Sequence, residues 1–173
     1  LSVLFPDEQL YIMDYNRVVA DLNGLTPDEF LSRVSESFTV EPAAAGAPHA
    51  PHVKHEFGMC LGGRWYVLRA REGSYDEQHP IESLDCAILQ RNLLAPILGI
   101  DDPRTSPRID FVGGIRGLGE LEARCGSGVA FSLCPVTMDD LFRVADSGAI
   151  MPPKSTWFEP KLRSGLFVHE IER

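Results

Sequence analysis

The feature that most constrains the fold is a pair of short apolar runs, Phe57 to Leu61 and Trp65 to Leu68, joined only by Gly62-Gly63-Arg64. Two such runs on so short a link close as a hairpin, because glycine takes the positive φ of a tight turn without a Cβ clash. Val3 to Phe5 and Leu10 to Met13, set apart by Pro6-Asp7-Glu8, give a second hairpin signal nearer the start of the chain. Sheet is therefore fixed before any helix is considered.

Helix signals lie between and after the hairpins. Thr26-Pro27-Asp28-Glu29 offers an N-cap hydroxyl, a proline at the first helical position and a glutamate placed to close a capping box. Phe30, Leu31, Val34 and Phe38 follow on roughly one face. Residues 41–53, rich in Ala and Pro, read as an internal loop. Pro80 opens a helix carrying Ile81, Leu84, Ile88, Leu89 and Leu93, which ends near Pro96.

From Arg108 onward strands and helices alternate: a strand to Val112, an imperfect helix over Ile115 to Arg124, and a strand over Val129 to Cys134. Thr137 then caps a helix with Met138, Leu141, Phe142 and Ala145 on one face and Gly148 at its end. Leu166 to Ile171 supplies a last strand. The expectation is one α+β domain over residues 1–173. Its mixed sheet would have two hairpins followed by a βαβαβ-like stretch, with helices packed on the sheet.

The formal net charge of -9 argues against nucleic acid or anionic lipid as a partner. No apolar run approaches the roughly 20 residues that a membrane-crossing helix needs. Cys60, Cys86, Cys125 and Cys134 show no paired spacing and suit buried thiols in a reducing, cytoplasmic setting. The opening Leu-Ser-Val-Leu-Phe-Pro reads as an excerpt of a longer protein. Only Lys54, Lys154 and Lys161 are lysines, an arginine excess that coding bias explains as readily as anion binding does.

Three stretches could carry chemistry. Arg104 and Arg108 precede the glycine-rich turn Gly113-Gly114-Ile115-Arg116-Gly117, whose backbone could meet a phosphate or could simply make a tight strand-to-helix turn. In Pro152-Pro153-Lys154-Ser155-Thr156 an ammonium and two hydroxyls follow stiffening prolines. That suits a phosphate or carboxylate, or else hydroxyls satisfying their own backbone. His49, His52 and His55 recur every third residue, but Pro48 and Pro51 break the helix that would make them converge on a metal or haem. No metal site is expected, and no complete catalytic constellation is visible.

Several blocks together resemble the domain of unknown function 1015 family: Leu4-Phe5-Pro6-Asp7-Glu8-Gln9-Leu10, Tyr15-Asn16-Arg17-Val18-Val19, His55-Glu56-Phe57-Gly58-Met59, Arg108-Ile109-Asp110-Phe111-Val112-Gly113-Gly114 and Pro152-Pro153-Lys154-Ser155-Thr156. Cys60 and Trp157 stand where the family is expected to have tyrosine. The resemblance implies that this chain is the C-terminal part of its parent, after a half with a Gly-His-His-Arg-type motif that is similar to the ParB/sulfiredoxin-related free serine kinases. Such a parent would phosphorylate L-serine with ATP or ADP and magnesium.

This sequence lacks that motif, so the resemblance assigns no catalytic residue here and no cofactor to this part of the chain. The expected role is to complete a substrate or phosphate site with the parent's own N-terminal half. Lys154, Ser155, Thr156, Arg104, Arg108 and Arg17 are the expected anion contacts. The alternative is a non-catalytic module for homodimerisation or regulation.

Overall fold

The computed structural model describes residues 6–159 together with 161 and 165. The expected arm Val3 to Phe5 and the expected strand Leu166 to Ile171 lie outside the described residues. In chain order the strands are β1 (Tyr11–Met13), β2 (Tyr15–Val19), β3 (Phe38–Pro42), β4 (Glu56–Leu61), β5 (Arg64–Ala70), β6 (Ile109–Gly113), β7 (Val129–Leu133) and β8 (Trp157–Glu159). The α-helices are α1 (Pro27–Ser37), α2 (Asp85–Leu89), α3 (Leu118–Cys125) and α4 (Met138–Asp146).

Six strands form one sheet in the order β3-β5-β4-β7-β2-β6, and β1 pairs with β8 as a separate ribbon. The α+β class is as expected, but every described pairing is antiparallel where a mixed sheet was expected. The cause is one strand that the apolar pattern does not announce. β6 and β7 run in the same direction, as a βαβ unit requires, yet β2 lies between them and pairs antiparallel with each. Asn16 and Arg17 hide β2 from a hydrophobicity reading, because both are polar and both are buried.

Period-two alternation sorts the sheet into two faces. Val19, Phe57, Met59, Leu61, Leu68, Val129 and Phe131 point to the larger core, which α1 covers with Phe30 and Val34, and which α2 and the segment after it cover with Ile88, Leu89, Leu93 and Leu94. Val18, Cys60, Trp65, Val67, Val112 and Ala130 point the other way, under Leu121 and Cys125 of α3. A fully buried leucine contributes roughly 1.5–3 kcal/mol, so the larger face carries most of the apolar stabilisation.

The caps behave as their residue types require. In α1 the Glu29 amide donates to Thr26 Oγ1 at 3.3 Å, and the Thr26 amide donates to Glu29 Oε2 at 2.8 Å. Thr137 and Asp140 repeat the arrangement in α4 at 3.2 and 3.0 Å. α1 stops at Ser37, and Phe38 turns extended to open β3, which enters the stretch expected to be loop. The helix expected from Pro80 begins only at Asp85 and passes into a π-helical turn over Gln90–Leu94.

Candidate functional site

A cleft of about 590 Å³ opens between the α2–π segment, the chain around residues 74–82, the loop at 101–104 and Pro152-Pro153. That size falls in the range of small-molecule sites. The π turn matters to its shape. Its wider ring, closed by the Ala95 amide donating to the Gln90 carbonyl at 3.0 Å, sets Gln90, Arg91 and Leu94 along one wall. Tyr75, Ile81, Ala87, Ile88, Pro103 and the two prolines make the rest of the lining largely apolar.

Arg17 is the buried cation of this cleft, only 4% exposed. The alternation of β2 sends its side chain, at the middle of the strand, to the same face as Val19. One guanidinium nitrogen donates to the Lys154 carbonyl at 3.2 Å and the other to the Tyr15 carbonyl. Its carbon lies 5.6 Å from the centre of Phe111, its partner across the sheet. Among the described residues no carboxylate forms an ion pair with it. Burial lowers its pKa below the ordinary 12.5, while Cys86, Tyr15 and Asp85 nearby push the other way. An arginine stays charged through such a shift, so a buried positive charge faces the cleft.

The other lining arginines are already matched. Arg91 bonds the Glu82 carboxylate, and Arg104 meets Asp102 with Nη2 at 2.8 Å and Nε at 3.0 Å. The Arg104 side chain and amide hold the Asp102 carboxyl down to about 2. Asp101 adds one more acid to the lining.

The residues anticipated from sequence divide among three places. Arg17 and Arg104 line the cleft. Lys154, Ser155 and Thr156 are outside its lining and follow directly on Pro152-Pro153, which belong to it. Lys154 adopts φ +58°, and its ammonium sits 5.8 Å from the rings of both Tyr15 and Phe111. Ser155 Oγ donates to the Pro152 carbonyl at 2.7 Å, closing the turn that presents Lys154. Arg108 is elsewhere: its Nε bonds Asp21 Oδ2 at 3.0 Å and its Nη1 bonds the Leu98 carbonyl at 2.8 Å, away from the cleft lining.

The glycine-rich turn serves packing. A Cβ at Gly113 would stand 2.6 Å from the Trp157 ring, and one at Gly114 would stand 1.8 Å from Asp14 Oδ1. The three histidines do not converge. His49 Nε2 pairs with Glu56 at 2.8 Å, His55 Nε2 meets the Ser83 carbonyl at 3.1 Å, and among the described residues no group of His, Cys, Asp and Glu is placed to hold a metal ion.

One polar residue was not singled out by sequence. Asp85 is 7% exposed, accepts the His55 amide at 2.8 Å, and leaves Oδ2 without a partner among the described residues. Burial pushes its carboxyl up to about 7, against the pull of that amide and of Lys54. Read in the chain, Asp85 is one more acid within the helix expected from Pro80; in the structure it opens α2. Only the fold shows that it is buried.

Residues 1–87 match the family described as "Protein of unknown function (DUF1015)". The chain belongs to this family. No curated protein matches it. Among solved structures, this DUF1015 chain is similar to a free serine kinase mutant in complex with AMP, with a TM-score of 0.51 and 11% identity over 87% of the chain. The same mutant in complex with ADP gives equal values, and a different mutant of that kinase with AMP is 12% identical. At that identity the likeness shows a shared fold. The DUF1015 chain spans about half of the kinase, 54% of its length. No helix among its described residues is long and apolar enough to cross a membrane.

Proposed function

We propose that this chain is one domain of a nucleotide-dependent small-molecule kinase of the free-serine type, and that its cleft completes the acceptor site. The observation that carries this reading is Arg17, a buried guanidinium facing the cleft that forms no ion pair with a carboxylate among the described residues. Burying such a charge is costly unless something compensates it, and an acidic group on a ligand would do so. Lys154, held in its turn by Arg17 and Ser155, brings a second positive charge to the margin. The fold shared with the free serine kinase supports the class of reaction.

In this reading Arg17 binds the carboxylate of L-serine or of a related hydroxy acid. Lys154 adds positive field where the phosphoryl group arrives, and Arg104, paired with Asp102, shapes the wall beside it. ATP or ADP with magnesium, and the base that takes the hydroxyl proton, belong to the remainder of the parent protein. Phosphoryl transfer depends mainly on positioning and charge stabilisation, so contacts from a second domain contribute directly to rate. Arg108 has a structural role, pinning Asp21 to the Leu98 carbonyl.

The test is turnover by the full-length protein with nucleotide, magnesium and L-serine, compared with its Arg17→Lys and Lys154→Ala variants. Loss of a bidentate guanidinium contact should raise KM for the acceptor about tenfold or more and leave nucleotide binding alone. Equal acceptor KM in all three proteins would remove the cleft from the mechanism.

A further inference from the structure

The walls of the cleft say more about its occupant than the anion contact does. Ile81, Ala87, Ile88 and Leu94 meet Pro103 and Pro152 around a space of about 590 Å³, far more than a molecule of serine fills. The charged side chains along it sum to zero: Arg17, Arg91 and Arg104 against Glu82, Asp101 and Asp102. Arg91 and Arg104 are each committed to a carboxylate of that set, and Arg17 alone of the three is buried without an ion pair among the described residues. A polyanion would find one unmatched guanidinium and an acid, Asp101, at the same cleft. A zwitterion as small as serine would leave the apolar lining wet.

We propose that the cleft takes an organic monoanion with an apolar body, its single acidic group on Arg17 and its hydrocarbon part against Ile81, Ala87 and Leu94. This rests on the reading above for the role of Arg17 and narrows the acceptor from any small hydroxy acid to one carrying an aliphatic or aromatic portion. The physical reason is the complementarity of an apolar wall with one fixed charge. Each methylene moved from water to that wall should tighten binding about fourfold, and the charge contact should be lost when Arg17 is replaced by a neutral residue.

The experiment is calorimetric titration of the full-length protein with acetate, butyrate, hexanoate and octanoate, beside inorganic phosphate and O-phospho-L-serine. The expected result is a rise of about fourfold per methylene through hexanoate, absent from Arg17→Met. Ile81→Gln provides a second variant that leaves the buried cation in place. It should weaken hexanoate severalfold and leave acetate unchanged. A series with no dependence on length, or long chains bound equally well by Arg17→Met, would overturn the inference. So would phosphate or O-phospho-L-serine binding more tightly than hexanoate; Arg17-dependent binding of that kind would leave the kinase reading standing. If none of the probes binds, both readings fall together.

Discussion

Replacing Asp85 by Asn should change the pH dependence of stability more than stability itself. Asp85 is buried, and burial moves its carboxyl from the ordinary 3.8 up to about 7. The folded state therefore holds the proton more tightly than the unfolded state does. A folded pKa raised in this way contributes stability that is fully present below about pH 4. That stability falls as pH rises and is gone above about 7. A difference of roughly 3 units at about 1.36 kcal/mol each is on the order of 4 kcal/mol, of which about 3 kcal/mol should disappear between pH 5 and pH 8.

Asn keeps an oxygen for the His55 amide and is isosteric with the protonated acid, so the two proteins should be nearly equally stable at pH 5. At pH 8 Asp85→Asn should be the more stable by a few kcal/mol. Urea unfolding followed by fluorescence of Trp65 and Trp157 measures both. Wild-type and Asp85→Asn curves that run parallel from pH 5 to pH 8 would refute the reasoning, because a carboxyl that titrates alike in both states contributes no slope.

Three further expectations concern the scaffold. Gly113→Ala places a Cβ 2.6 Å from the Trp157 ring and should cost about 1–3 kcal/mol and shift tryptophan emission; an unchanged spectrum and midpoint would contradict the packing role. Thr137→Ala removes one half of a capping box and should lower stability by about 1 kcal/mol in urea titration. Arg108→Met in the full-length protein should lower stability by about 1 kcal/mol and leave acceptor binding as it was, since its partners are Asp21 and Leu98; a loss of acceptor affinity would move Arg108 into the site.

The Gly62-Gly63 hairpin and both capped helices were legible because each depends on a few adjacent residues. β2 was not. Its place in the sheet depends on two buried polar side chains, and Asn16 Oδ1 takes the Leu133 amide at 3.0 Å, across a long stretch of chain. The arginines show the same limit at the site. Arg17, Arg104 and Arg108 are alike in sequence, and only tertiary position separates the buried one, without an ion pair among the described residues, from the two held by Asp102 and Asp21. Asp85 and the π turn depend on burial and on a local widening of the helix, neither of which leaves a periodic mark. The Lys154 turn stood out through its prolines, but Lys154 at positive φ and the bond from Arg17 to its carbonyl are contacts that no spacing predicts.

The central claim, that Arg17 is the anion contact of an acceptor site, is tested most directly by thermal shifts of the full-length protein and its Arg17→Met variant. The ligands would be L-serine, O-phosphoserine, ATP and ADP, with magnesium. A ligand that binds only the folded state raises the melting temperature. The account predicts that both proteins shift with nucleotide, and that any shift with serine or O-phosphoserine is confined to the wild type. An acceptor shift that survives in Arg17→Met would contradict it.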